Sequence, residues 1–185
     1  MSILVFHGST AVVDRPEIRS VSRPLDFGAG FYVTSIRERA EEWAQKKAMK
    51  EHNDPIVSVY SLDINLLQKQ LCTKSFKGTS DNWLDFVLKH RRTTAYVRQT
   101  VRDNGAASNR RFIANLGVHH TFDMVTGEVA NDDVFDSIEF YESGVISKAE
   151  LKRRLKTKQK NDQLCFCTPE SLGYLSFNDS FSKVR

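Results

Sequence analysis

The chain has 185 residues, 40% hydrophobic and 10% aromatic, with 27 Lys and Arg against 23 Asp and Glu for a formal charge of +4. That length and apolar content fit a single soluble domain with a packed core, and they exclude a disordered or fibrous chain. No run approaches the ~20 apolar residues of a membrane helix. The opening MSILVFHGS has no basic segment ahead of its short apolar run, so no secretory leader is expected and the expected location is cytoplasmic.

In chain order, Ile3 to Phe6 is β-branched and aromatic, which predicts a buried strand that ends in a turn at His7-Gly8-Ser9. Asp14 to Asp26 contains Pro16 and Pro24 and reads as a loop feeding GAGFYVTS, Gly28 to Ser35, in which Phe31 to Val33 is a short strand. Ser35 with Glu38 matches a capping box, and Ile36, Ala40, Trp43, Ala44 and Met49 recur near the helical period. An amphipathic helix from Ser35 to about His52 follows, with Trp43 in the core. IVSVYSL, Ile56 to Leu62, alternates as a strand does, and Asp63 opens a short helix through Leu67 and Leu71. Trp83, Phe86, Val87 and His90 share one helical face, predicting a helix from Asp81 to about Arg92.

Thr93 to Asn115 has no clear period. Phe122 to Val125 reads as a strand, with a turn at Gly127 and the polar segment EVANDDVF after it. Ser147 is the expected N-cap of a helix reaching Leu155, with Glu150 at the box position. QLCFCT is a late strand, Pro169 to Leu175 a short helix, and YLSF a strand that closes the sheet. Strands and helices interleave without a regular βαβ alternation, so the expected class is α+β rather than doubly wound α/β.

The three cysteines, Cys72, Cys165 and Cys167, are an odd number, and Cys165 and Cys167 share one face of the predicted late strand. Such neighbours make a poor disulfide and no His/Cys spacing resembles a zinc site, so buried free thiols are expected. Charge is unevenly spread. Lys89 to Arg111 holds seven Lys and Arg with only Asp103 as an acid, and Lys148 to Lys160 holds seven more against Glu150. Thr121 to Glu142 holds seven acids and no Lys or Arg, which predicts a bipolar surface. The first basic segment interleaves its cations with Tyr96, as a surface that tracks phosphates would, although a solvated helix face has the same pattern. A nucleic-acid-binding module is therefore one reading, in which Arg91, Arg92 and Arg98 carry the function.

FHGS on the first strand, DFGAGFYVTS entering a helix, and NDQLCFCT late in the chain resemble, in order and spacing, the three motifs of ADP-ribosyltransferases of the diphtheria-toxin and poly(ADP-ribose)-polymerase class. Nearly the whole chain is also similar to a bacterial family known as domain of unknown function 3990, with FDMVTGEVANDDVF and the QLCFCT end as further signatures. The resemblance implies a single ADP-ribosyltransferase-like domain with a split β-sheet, flanking helices and a cleft for NAD as co-substrate. It further implies a macromolecular acceptor, protein or nucleic acid, and a bacterial toxin of a toxin–antitoxin pair neutralised by a small antitoxin protein.

The residues support the same chemistry on their own terms. Breaking the bond between nicotinamide and ribose passes through an oxocarbenium-like state, so a site must grip the amide, hold ribose hydroxyls and stabilise positive charge. His7 offers a hydrogen bond to a ribose hydroxyl, with Ser9 beside it, and the backbone of Gly8 is free to pair with the carboxamide. Gly28 and Gly30 admit close approach of a ligand, and Tyr32 offers a ring for stacking on nicotinamide, whereas Phe31 faces the opposite side into the core. At the third motif the class presents a glutamate, and here that position is Gln163, an amide without charge. Its loss costs on the order of 10²–10³ in rate unless another group compensates. Asp132 or Asp133 is the candidate acidic auxiliary, with Asn131 as a neutral partner, and Asp26 with Arg23 reads as an ion pair in the loop. By resemblance, the absent glutamate favours transfer of a single ADP-ribose over polymer synthesis. The alternative keeps the fold and drops the chemistry, leaving a catalytically weak or inactive NAD-binding or nucleic-acid-binding module.

Overall fold

The computed structural model describes residues 2–18, 25–91, 121–130, 135–157 and 160–182. Strands β1 (Ile3–Ser9), β3 (Ile56–Leu62) and β7 (Leu175–Ser182) form an antiparallel sheet in the order β1-β3-β7. Strands β2 (Phe31–Val33), β6 (Gln163–Phe166), β5 (Met124–Gly127) and β4 (Thr73–Ser75) form a second sheet in the order β2-β6-β5-β4, antiparallel except for the β4 and β5 pair. Helices α1 (Arg37–Glu51), α2 (Ile64–Gln70), α3 (helical over 81–91), α4 (Phe135–Glu142), α5 (Lys148–Leu155) and α6 (Pro169–Leu172) flank them. The class is α+β, as expected.

The two sheets meet where Phe6 and Thr34 exchange both backbone hydrogen bonds, at 2.8 and 2.9 Å. Beyond that bridge the antiparallel neighbours of His7, Gly8 and Ser9 would be Val33, Tyr32 and Phe31, but these pair with β6 instead, so β1 and β2 diverge and space opens between them. His7-Gly8-Ser9 is thus strand and not turn, because β3 is long enough to pair with it through Ser9 opposite Ile56. One apolar cluster gathers Phe27, Trp83, Leu84, Val87, Val125, Leu151 and Cys165, and another gathers Val5, Phe31, Val33, Tyr60, Leu62 and Phe166. Phe31 lies in the second, as its strand alternation requires.

Several local readings hold. Asp63 caps α2 by accepting from Leu66 N–H at 3.1 Å, and Ser147 caps α5 by accepting from Glu150 N–H at 3.2 Å. The capping box at Ser35 does not form: α1 begins at Arg37 with Ile36 as an N-cap that makes no side-chain bond. The Ser35 hydroxyl instead donates to Asp162 Oδ2 at 2.5 Å, so a long-range carboxylate outcompetes the local cap. Strand β5 runs through Gly127 rather than turning there, since Gly127 pairs with Gln163. Helix α4, in FDSIEFYE, has no counterpart in the sequence reading, which assigns no element between EVANDDVF and Ser147. Cys165 and Cys167 are buried free thiols with sulfurs 3.6 Å apart, and Cys72 is free and exposed.

Candidate functional site

A cavity of about 460 Å³ lies where β1 and β2 part, walled by the end of β1, by β2, by one face of α1, by the loop at Leu25 and Asp26, and by the chain entering β6. Its size is that of a small-molecule site. His7, Gly8, Ser9, Gly30, Tyr32 and Gln163 all line it, although the segments carrying them are far apart in sequence. Gly28 is buried in the loop behind, with φ of +83°, the left-handed region that glycine enters without strain. Asn131, Asp132 and Asp133 lie outside the described residues, as do Arg23, Arg92 and Arg98.

His7 is held from two sides. Its ring stacks on Phe31 with centroids 4.5 Å apart, and Nδ1 lies 2.7 Å from the Tyr32 carbonyl oxygen. A carbonyl only accepts, so Nδ1 carries the proton, and in the neutral ring Nε2 is the acceptor. Gly8 does two jobs. A Cβ there would sit 2.2 Å from the Ala40 carbonyl oxygen and 2.8 Å from Ala44 N, so the bare Cα is what lets α1 lie against β1. Its peptide groups alternate with their neighbours: those of Phe6 point toward β2, and so must those of Gly8. There β2 has parted from β1 and pairs with β6, and no described residue bonds the Gly8 N–H or C=O on that edge.

Tyr32 is a fixed wall. Its hydroxyl donates to the Gly28 carbonyl at 2.7 Å and accepts from Phe27 N–H at 3.2 Å, so the phenol anchors the glycine loop. Burial, with Cys165 beside it, pushes its ionisation well above the ordinary tyrosine range, so the ring is neutral. Gly30 is bare because a Cβ would meet Cys165 Sγ at 2.3 Å and the Phe166 carbonyl at 2.7 Å, so it serves strand pairing more than ligand access.

In the cavity wall, Asp26 makes a buried ion pair that sequence reasoning missed. Arg91, on α3, places Nη2 2.5 Å and Nε 2.8 Å from Asp26 Oδ1, with the two side chains 7% and 4% exposed. The other carboxylate oxygen accepts from Ala130 N–H at 2.8 Å and from Gln163 Nε2 at 2.8 Å. Gln163 Nε2 also donates to the Glu128 carbonyl at 3.1 Å. Arg91 is therefore a buried part of the cavity wall rather than of an exposed phosphate-tracking surface. Four cations of the second basic segment are likewise matched by acids: Lys148 meets Asp85 at 2.6 Å, Lys152 meets Asp81 at 2.5 Å, and Arg153 and Arg154 reach Glu150 at 2.7 Å, holding its carboxyl down to about 2.

Trp43 is a correction. It is half-buried and lines the cavity on the α1 face that also presents Arg39, Lys46 and Lys47, the positions three and four residues apart that share one side of a helix. That spacing was visible in the sequence, but the tryptophan read as core. Lys47 donates to Ser9 Oγ at 3.2 Å, and Arg39 pairs with Glu42 at 2.7 Å. Asp162, next to Gln163, accepts from Thr34 Oγ1 at 2.5 Å and Ser35 N–H at 3.0 Å, pinning the start of β6 to the corner between β2 and α1. Among the described residues no cluster of His, Cys, Asp and Glu could hold a metal ion, and no helix is long and apolar enough to cross a membrane.

The model of a family described as a protein of unknown function, DUF3990, matches residues 3–177. The chain belongs to the DUF3990 family. The match takes in every wall of the cavity, from β1 to β6, and ends within β7. No curated protein and no solved structure matches this DUF3990 chain.

Proposed function

We propose that this DUF3990 protein is a mono-ADP-ribosyltransferase on an ADP-ribosyltransferase-like split sheet, cleaving NAD and transferring ADP-ribose to a macromolecular acceptor, as the toxin of a toxin–antitoxin pair would. The observation that carries the reading is convergence: His7, the outward-facing Gly8 peptide groups, Tyr32 and Gln163 line one cavity of about 460 Å³. The Gly8 N–H and C=O match the carbonyl and amino groups of a carboxamide, and Tyr32 gives that ring a rigid wall. His7 Nε2 accepts from a ribose hydroxyl, and Lys46 and Lys47 on the α1 face are cations for the diphosphate.

In the reaction the nicotinamide–ribose C–N bond breaks and its electron pair leaves on nicotinamide, generating the oxocarbenium-like sugar. An acceptor hydroxyl, amine or ring nitrogen then attacks the anomeric carbon and loses its proton. Gln163 contributes a dipole toward the cation and no charge, which favours a slow, single transfer. The same feature favours the second reading, an NAD-binding protein with weak or no turnover.

Purified protein incubated with NAD labelled in the adenylate portion, with and without a cell lysate, tests both. The expected result is nicotinamide release and label on a macromolecule, reduced on the order of 10²-fold in His7→Ala while NAD still binds, the scale for removing one preorganised hydrogen bond from a transition state. Binding without nicotinamide release in the unaltered protein supports the second reading. Neither binding nor release overturns both.

A further inference from the structure

Gln163 is held by two acceptors, and that fixes which end of its amide faces the ligand. Asp26 Oδ2 at 2.8 Å and the Glu128 carbonyl at 3.1 Å both lie against Nε2, and neither accepts anything but a donor. Gln163 is 8% exposed and lines the cavity, and no described residue bonds its Oε1. Asp26 cannot rotate away to relax the demand, because its other oxygen is forked by Arg91 and its Oδ2 also holds Ala130 N–H.

We propose that the Asp26–Arg91 pair is a positioning device that locks the Gln163 amide with its carbonyl oxygen toward the cavity, making the third position a neutral acceptor for a ligand hydroxyl that glutamate cannot replace. Only the identity of that hydroxyl, on ribose, rests on the function proposed above. A carboxylate at 163 would present an acceptor to two acceptors, one of them the Asp26 charge, in a buried setting. Like charges that close cannot both ionise, so the introduced carboxyl would keep its proton and donate it to Asp26. Gln163 is then the residue the network is built for, rather than a glutamate that has been lost.

Thermal unfolding of the unaltered protein and Gln163→Glu, each at pH 5 and pH 8 without ligand, tests this whether or not NAD binds. The introduced carboxyl has its folded-state ionisation raised above the unfolded value of about 4.3. Its stability is therefore full below that pH and falls as pH rises toward the folded-state value. The other ionisable groups on the cavity walls, among them His7, Glu17, Tyr32, Lys47 and Asp162, are present in both proteins and drop out of the difference at each pH. The midpoint of Gln163→Glu should lie close to the unaltered protein at pH 5 and on the order of 5–10 °C below it at pH 8. In Asp26→Asn/Gln163→Glu, compared with Asp26→Asn alone, that pH dependence should vanish, which a merely structural role for Asp26 would not produce.

A Gln163→Glu variant as stable as the unaltered protein at pH 8 overturns the proposal. If the variant folds at neither pH, the unaltered protein decides: in its nitrogen-15 spectrum both side-chain amide protons of Gln163 should exchange with solvent at least 10-fold more slowly than those of a free glutamine. Exchange at the free rate overturns the proposal equally.

Discussion

Asp26→Ala is expected to destabilise the folded chain by about 3–5 kcal/mol, the scale for removing one partner of a buried ion pair. Arg91 has its Nε and Nη2 committed to Asp26 Oδ1 at 2.8 and 2.5 Å, and it is 6% exposed, so water does not replace the lost carboxylate. The same change strips Ala130 N–H and Gln163 Nε2 of an acceptor. Those orphaned donors add to the loss. Denaturant unfolding checks it, and the Asp26→Ala/Arg91→Met double variant should recover part of the loss because it removes the stranded charge as well. A loss under about 1 kcal/mol for Asp26→Ala, a scale more typical of an exposed pair, would mean that the pair is solvated.

Gly8→Ala should cost about 3 kcal/mol, at the upper end of the range for overpacking. The added Cβ meets backbone, the Ala40 carbonyl at 2.2 Å and Ala44 N at 2.8 Å, and backbone cannot turn aside as a side chain would. Relief requires α1 to lift from β1, exposing Ala40, Ala44 and Val57, which pack there. Gly173→Ala is the control, since its Cβ would only touch the Glu170 carbonyl at 3.3 Å, and it should cost far less. Thermal or denaturant midpoints of the two variants make the comparison. Because Gly8 carries this packing load, a loss of NAD binding in Gly8→Ala is not evidence of a lost carboxamide contact. His7→Ala is the cleaner probe of the ligand.

Where pairing is local or patterned, the sequence was readable. IVSVYSL alternates and forms β3 over the residues read from it, and Ser147 with Glu150 forms the cap it spells. The same logic failed at Ser35, whose spacing to Glu38 is equally good, because Asp162 arrives from across the fold and takes the hydroxyl. No local rule contains that competition. Motif order singled out Tyr32, His7 and Gln163, which line one cavity, but what holds each in place was legible only in part. The Tyr32 hydroxyl holds Gly28 and Phe27, and Gly30 is bare for Cys165 and Phe166.

Asp26 and Arg91 show the limit most plainly. Asp26 was read with Arg23, close by in sequence, and Arg91 as one cation of a basic run, yet they meet across 65 residues. Nothing in composition distinguishes a buried arginine from its exposed neighbours. Trp43 failed for the opposite reason: its period with Ala40 and Ala44 was right, but a helix against a cleft has apolar residues on the wall as well as beneath it.

The cavity between β1, β2 and α1 is the proposed seat of NAD, and titration of NAD into the nitrogen-15-labelled chain is the decisive experiment. Saturable shifts of the Gly8 amide, the His7 ring and the Gln163 side-chain amide are expected, each at a single affinity. Saturation with those three signals unmoved, or shifts confined to residues outside the cavity, would contradict that placement.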